Sequence, residues 1–239
     1  TLAGLTNYVE EHGCDIGIAT DGDADRLGVI DDKAEFLHPN KILVLLYYYL
    51  MRYRGWRGAA VRNLATTHLL DRIAEDFGET CYEVPVGFKY VSAKMVETGA
   101  IIGGESSGGL TVRGHIQGKD GIYAAALLVE AIAKTGRRLS ALWDEITQKY
   151  GAAEMAEHDF HFSSAERTRI FKLLMEDKQL PEFPCEIAKV SYMDGCKVYF
   201  KNGGWVIARF SGTEPLLRVF CEMDTMENAE KIAKILTEF

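Results

Sequence analysis

Residues 21–26 (DGDADR) place three carboxylates at alternate positions of a short turn. Because alternate residues of an extended chain point the same way, the side chains of Asp21, Asp23 and Asp25 are expected to converge. Three converging like charges repel one another unless a cation lies between them. A set of oxygen ligands favours a hard divalent ion, Mg²⁺ before Ca²⁺. The run therefore predicts a magnesium site.

This run has two other interpretations. A polar hairpin turn with solvated acids is the simplest, but apolar, strand-like residues on both sides (16–19 and 27–30) put the acids at the end of a buried strand, where ligands are commonly held. A helix-loop-helix calcium loop fails in detail. Its sixth position needs Gly and holds Arg26, and its twelfth needs Glu and holds Asp32.

A glycine-rich segment at residues 103–109 (GGESSGG) follows a predicted buried strand. Its four glycines would let the backbone approach a ligand closely. The carboxylate of Glu105 and the hydroxyls of two serines offer directional hydrogen bonds of the kind that bind sugar hydroxyls. A flexible linker is the alternative, which the apolar flanks disfavour.

Residues 209–215 (RFSGTEP) form a third polar loop. Guanidinium groups, hydroxyls and a glycine that frees backbone N–H groups suit a phosphate. The candidate phosphate ligands are Arg209, Ser211, Gly212, Thr213 and Arg218. A strand-ending turn with two surface arginines is the alternative.

Two further residues carry titratable groups near these loops. Lys89, at the start of a predicted helix, would hold a phosphate or donate a proton, or is a solvated lysine. His115 is either an acid–base group or a structural histidine.

Composition limits the function. The formal net charge of -8 argues against nucleic acid as a partner. Neither an apolar run of membrane-spanning length nor a secretory signal is present, so no membrane partner is expected. The five cysteines are widely spaced, which is typical of reduced thiols in a cytoplasmic protein.

Between about residues 59 and 150 the predicted elements alternate between strand and helix, which predicts a mainly parallel sheet. After Gly151, consecutive short strands flanked by helices predict a small α+β unit. The predicted fold class is α/β. It comprises a layered α/β/α domain at residues 38–150, a partial α/β domain at 1–37 and a small α+β domain at 151–239.

The four loops, in this order, resemble those of the α-D-phosphohexomutase family, which includes phosphoglucomutases, phosphomannomutases and phosphoglucosamine mutases. DGDADR resembles the family's magnesium loop, GGESSGG its sugar-specificity loop and RFSGTEP its phosphate loop, with VGFKY (86–90) between the first two. The resemblance implies that residues 1–37 are the end of the family's second domain, that residues 38–150 are its third domain, and that residues 151–239 are its fourth.

The resemblance also implies roles for single residues. The three aspartates would bind Mg²⁺, and Arg26 would neutralise the transferring phosphoryl group. Glu105 and Ser107 would bind the sugar, and Lys89 would contact phosphate or transfer a proton. Arg209, Ser211, Gly212 and Thr213 would grip the phosphate that is not transferring.

The implied activity is a magnesium-dependent transfer of a phosphoryl group between the 1- and 6-positions of glucose or mannose phosphate, through a phosphoserine and a hexose bisphosphate. A phosphoglucosamine mutase is the alternative. The family's serine loop (Thr-Ala-Ser-His-Asn-Pro) is not among these 239 residues. We therefore expect the chain alone to bind metal and sugar phosphate without catalysis. Residues 1–37 would be only part of a domain's sheet, which leaves unpaired strand edges and exposed apolar surface. We therefore expect them either to self-associate or to be poorly ordered.

Overall fold

The computed structural model describes residues 2–212 and 214–239. Across these residues it contains eight α-helices, one π-helical turn and twelve strands in three sheets. The chain divides into two compact units, one ending at Gly151 and one beginning at Ala152. The predicted mixed α/β class is confirmed.

The first sheet carries the acid run at one of its turns. Helix α1 (Ala3–His12) precedes strands β1 (Gly17–Thr20), β2 (Leu27–Ile30) and β3 (Phe36–Leu37), which pair antiparallel in the order β1-β2-β3. Thr20 lies opposite Leu27, so residues 21–26 form the connection between β1 and β2. The apolar side chains of β2 are buried, which fixes where this connection begins and ends.

The second sheet holds the glycine-rich segment. Its strands run in the order β5-β4-β6-β7, where β4 is Ala60–Asn63, β5 is Cys81–Val84, β6 is Ile102–Gly104 and β7 is Leu110–Val112. Strand β4 is parallel to β5 and β6, and β7 returns antiparallel beside β6. Helices α3 (Leu69–Asp76) and α4 (Phe88–Thr98) make the crossovers. The mainly parallel sheet was predicted, whereas β7 was not.

Helices cover both faces of this sheet. Helix α4 packs on one face, where Val91 and Met95 join the core. Helix α2 (Pro39–Arg52) contacts the other face and is buried almost all round. Its contacts extend to α5 (Gly121–Thr135) and α6 (Leu139–Tyr150). The result is the expected three-layer arrangement.

Two glycines of the GGESSGG segment are packing residues. Gly103 and Gly104 lie in β6, so the prediction that all four glycines serve ligand approach is wrong for this pair. A Cβ at Gly103 would lie 2.6 Å from Val91 and would also collide with Met95. A Cβ at Gly104 would lie 2.8 Å from Leu43 of α2. Their absent side chains let a helix on each face approach the sheet closely.

Asp120 fixes the start of α5. One oxygen of its carboxylate accepts a hydrogen bond from the Tyr123 N–H at 2.8 Å, and the other lies 2.7 Å from His115 Nε2. The His115 ring stacks on Tyr123, with ring centroids 3.9 Å apart. His115 is thus part of the cap of α5.

The second unit is one five-stranded antiparallel sheet of order β8-β12-β11-β10-β9. Its strands are β8 (Glu154–His161), β9 (Ile187–Ser191), β10 (Cys196–Phe200), β11 (Trp205–Phe210) and β12 (Leu216–Met223). Helix α7 (Ser164–Phe171) continues into a π-helical turn (Lys172–Glu176), and α8 (Met226–Glu238) contacts β12 and β8. Strand β12 lies inside the sheet and was not predicted from the sequence.

The cysteines form no disulfides. All five are free thiols, and burial raises the pKa of the Cys196 thiol to about 11. Within the described residues, no helix combines the length and apolar character that a membrane crossing requires.

The packing role of Gly103 predicts a stability loss. Gly103→Ala should destabilise the protein by roughly 1–3 kcal/mol, since the added methyl group overpacks the contact with α4. Urea unfolding followed by circular dichroism measures the change. Gly118→Ala is the control, because a Cβ there meets nothing nearer than 3.8 Å. Equal stability of the two variants would refute the packing argument.

The Asp120 cap predicts a pH dependence. The Tyr123 N–H and His115 hold the pKa of Asp120 below its ordinary value. The ionised carboxylate therefore stabilises the fold above about pH 4, and this contribution is lost as pH falls through the lowered pKa. Asp120→Ala should cost about 1 kcal/mol at pH 7.

The difference in urea-unfolding free energy between Asp120→Ala and the unmodified protein should shrink as pH is lowered from 7 to 3. The exposed Asp15→Ala is the control. A difference that stays constant over this range would contradict the assignment.

Candidate active site

The three aspartates of the acid loop, residues 21–26, converge. Ligand oxygens of Asp21, Asp23 and Asp25 all lie within 4.8 Å of one another. Asp21 and Asp25 are half-buried, and Asp23 is exposed. Ala24, between the last two, has a φ of 59° and donates its N–H to the Asp21 carbonyl at 3.1 Å. This left-handed residue turns the chain so that alternate side chains gather on one side.

The start of α5 supports the acid loop from behind. The Gly121 N–H donates a hydrogen bond to the Ala24 carbonyl at 2.9 Å. A Cβ at Gly121 would lie 2.8 Å from the Arg26 carbonyl oxygen, so only glycine permits this approach. The contact explains how a left-handed alanine is held in place.

Arg26 folds back on the loop. Its Nε lies 2.6 Å from Asp21 Oδ2, and its backbone N–H donates to Asp21 Oδ1 at 3.1 Å. The Arg26 N–H is the main reason that the pKa of Asp21 lies below its ordinary value. The role of Arg26 toward a phosphoryl group stays a prediction; in this structure its Nε serves Asp21.

Asp25 presents the clearest opening for a cation. Its Oδ2 pairs with the ammonium of Lys119. Its Oδ1 is buried and has no hydrogen-bond partner among the described residues, with Arg26 Nε 3.5 Å away. A buried carboxylate oxygen without a donor, beside two further carboxylates, fits a hard divalent cation such as Mg²⁺.

Glu105 sits in a hairpin turn between β6 and β7. Its N–H donates to the Gly109 carbonyl at 3.0 Å, and the Gly108 N–H donates to the Glu105 carbonyl at 3.1 Å. The carboxylate is buried and accepts hydrogen bonds at 3.0 Å from Asn63 Nδ2 and from the Gly87 N–H. Glu105 thus joins the ends of three adjacent segments. A sugar contact by Glu105 remains a prediction.

Asn63 and Thr66 complete this network and were not singled out from the sequence. Asn63 Oδ1 accepts from the Ala65 N–H at 2.9 Å and from Thr66 Oγ1 at 2.8 Å. Thr66 Oγ1 in turn accepts from the Ser106 N–H at 3.1 Å. A sequence signal for them exists: Asn63 ends parallel strand β4 and Thr66 lies in the loop after it, where ligand-binding side chains collect.

The hairpin tip faces the acid loop. A Cβ at Gly108 would lie 3.4 Å from the Leu27 carbonyl oxygen and 3.7 Å from Arg26 Cβ. Ser107 is exposed at this tip. Lys89 is also exposed, in the first turn of α4, with its ammonium 4.8 Å from the Tyr90 ring centroid. The metal and sugar candidates therefore occupy one region of the first unit.

The phosphate candidates lie in the second unit. Arg209 of β11 is directly opposite Arg218 of β12, so the loop between them closes a hairpin. Arg209 Nε pairs with Asp194 at 2.9 Å, and Arg218 Nη2 with Glu214 at 2.9 Å. Arg218 Nε is buried, has no hydrogen-bond partner within the described part of the chain, and lies 3.8 Å from Asp159 Oδ1. Two adjacent guanidinium groups can attract a dianion.

Some polar groups in the rest of the phosphate loop form hydrogen bonds within the loop itself. The Ser211 N–H donates to the Leu216 carbonyl at 2.8 Å, and Ser211 Oγ accepts from the Glu214 N–H at 3.3 Å. The expectation that glycine frees the backbone N–H groups therefore does not hold for Ser211. Gly212 is exposed. Thr213 lies outside the described residues.

Models of one protein family match most of the chain. They are described as phosphoglucomutase/phosphomannomutase, with alpha/beta/alpha domain II over residues 1–34, alpha/beta/alpha domain III over 38–150 and the C-terminal domain over 171–238.

Relatives align along almost the whole chain. A phosphoglucomutase/phosphomannomutase from Thermococcus kodakarensis is 33% identical over 234 residues, covering 98% of this chain and 49% of the relative. A phosphoglucosamine mutase from Exiguobacterium sp. is 29% identical, covering 98% of this chain and 49% of the relative. The chain thus spans about half the length of the curated relatives it matches.

A solved structure has the same fold. The crystal structure of a phosphoglucomutase/phosphomannomutase family protein from Burkholderia thailandensis superimposes with a TM-score of 0.80 at 25% identity, covering 99% of this chain and 48% of that one. Together with the family models and the geometry of the acid loop and the hairpin, these matches show that the chain belongs to the phosphoglucomutase/phosphomannomutase family, the α-D-phosphohexomutases.

Proposed function

We propose that the protein carrying this chain is a magnesium-dependent phosphohexomutase, which moves a phosphoryl group between the 1- and 6-positions of glucose or mannose phosphate. The observation that carries the proposal is the acid loop: three carboxylates lie within 4.8 Å, and one buried oxygen of Asp25 lacks a hydrogen-bond donor among the described residues. Family membership supports the same conclusion.

Mg²⁺, held by Asp21, Asp23 and Asp25, would supply Lewis-acid neutralisation of the phosphoryl group carried on a serine. Phosphoryl transfer depends on charge neutralisation and in-line positioning more than on covalent work by the protein. Arg26 would neutralise further charge on the transferring group. Lys89, at the N-terminus of α4 where anions are favoured, would contact phosphate or move a proton to the sugar oxygen.

The hairpin of the first unit and the loop of the second unit would each have a binding role of their own. Glu105 and Ser107 would bind the sugar hydroxyls. Arg209, Ser211, Gly212, Thr213 and Arg218 would bind the phosphate that is not transferring. The adjacency of Arg209 and Arg218 across β11 and β12 supports the phosphate role.

A phosphoglucosamine mutase is the second candidate. The Exiguobacterium relative carries that name at an identity close to that of the phosphoglucomutase/phosphomannomutase relatives. Gly109 favours the glucose or mannose enzymes, because by resemblance the glucosamine enzymes more often have His at this place in the hairpin. A cytoplasmic location belongs to the same proposal, and five thiols outside any disulfide support it.

The proposal predicts substrate turnover by the longer protein that carries this chain. It should convert glucose 1-phosphate and mannose 1-phosphate to the 6-phosphates faster than glucosamine 1-phosphate, and chelation of divalent metal should stop turnover. Asp23→Ala should lower kcat/KM at least about 100-fold, by analogy with the cost of disturbing a metal site, while Asp15→Ala should not. Absence of turnover on every hexose phosphate would end the proposal.

The 239-residue chain alone should not accept a phosphoryl group. Its loop serines, Ser106, Ser107 and Ser211, lie in the sugar and phosphate loops rather than in a phosphoserine loop. After incubation with glucose 1,6-bisphosphate and Mg²⁺, mass spectrometry should find the unmodified mass. A stable phosphoserine on any of these residues would contradict the assigned roles.

A further inference from the structure

Lys119 connects the hairpin between β6 and β7 with the acid loop. Its ammonium pairs with Asp25 Oδ2, and its aliphatic stem lies on Gly109 at the end of the hairpin. A Cβ at Gly109 would overlap Lys119 Cδ and lie 2.8 Å from its Cγ. Only glycine at residue 109 therefore leaves room for this path of the lysine stem.

The backbone on the other side of Lys119 is also fixed. Asp120 caps α5, and the Gly121 N–H is bonded to the Ala24 carbonyl. The backbone next to Lys119 is thus bonded to the acid loop. The side chain of Lys119 packs across Gly109, and its ammonium pairs with Asp25 of the same acid loop. Its side chain as a whole is 28% exposed, so most of it is removed from water.

The ammonium of Lys119 thus places a positive charge beside the proposed metal ligands. A cation that already pairs with Asp25 repels a divalent ion bound by the same carboxylate, and it stabilises the cluster when no ion is bound. Arg26 does the same for Asp21 through its Nε. The stem of Lys119, in addition, packs on Gly109 of the hairpin.

We propose that Lys119 is a tethered counter-ion that lowers the divalent-metal affinity of the acid loop, and that Gly109 of the hairpin keeps it in place. The inference rests on the proposed metal site and adds a regulator of its affinity. Displacement of the hairpin tip would move the Lys119 stem and thereby change how tightly the metal is bound. The metal and sugar sites are coupled through this one side chain.

The test is direct Mn²⁺ binding to the 239-residue chain, with free Mn²⁺ counted by electron paramagnetic resonance at fixed ionic strength. Lys119→Met should bind Mn²⁺ about tenfold tighter, or more, than the unmodified chain, because one unit charge near the ion is removed. Lys94→Met is the matched control: its ammonium also pairs with one carboxylate and its side chain is 29% exposed.

Gly109→Ala tests the tether. It should tighten Mn²⁺ binding in the unmodified chain and have no effect in the Lys119→Met background, with Gly118→Ala neutral in both. Unchanged or weaker binding by Lys119→Met overturns the inference, and an effect of Gly109→Ala that persists without Lys119 overturns the tether.

Asp23→Ala separates the two proposals: if neither the unmodified chain nor Lys119→Met binds Mn²⁺ in a manner that Asp23→Ala abolishes, the metal site itself is wrong.

Discussion

Repulsion among three carboxylates whose oxygens lie within 4.8 Å of one another is the constraint on which the first unit depends. Unit charges this close repel one another as long as no cation lies among them. The left-handed backbone at Ala24 adds about 1–2 kcal/mol. A turn with these costs persists only when the surrounding structure holds it.

The surrounding structure supplies that support through backbone contacts and two cations. The start of α5 bonds the Ala24 carbonyl, Arg26 bonds Asp21, and Lys119 pairs with Asp25. Glycine occupies the positions where segments come closest. Gly121 lets α5 reach the acid loop, and Gly109 lets the lysine stem cross the hairpin. The chain thus uses glycine here to bring charged groups together, and in β6 to bring helices onto the sheet.

Much of this arrangement could be predicted from the sequence. The alternating acids and the apolar flanks of β1 and β2 are local signals, and each was found in the expected element. Family membership followed from loop order. Contacts between segments far apart in sequence were not predictable in the same way. Nothing in Lys119 itself shows that it reaches Asp25, and Glu105 pairs with Asn63 and Gly87 only because parallel strands bring their ends together.

The unpredicted strands have the same explanation. Strand β7 is three residues long, and its glycine-rich connection to β6 is typical of a loop as much as of a hairpin. Strand β12 follows the phosphate loop directly, and Arg218 was grouped with the phosphate ligands as a residue after that loop; the structure places it within the sheet, opposite Arg209. In both cases pairing with a neighbouring strand, rather than the local sequence, defines the element.

The central claim is that the acid loop holds a divalent cation, and anomalous diffraction from crystals of the chain grown with Mn²⁺ tests it most directly. We predict one anomalous peak with oxygens of Asp21, Asp23 and Asp25 about 2.0–2.3 Å away, distances typical of a hard divalent ion. Carboxylates that point apart into solvent, with no anomalous density among them at millimolar Mn²⁺, would contradict the account.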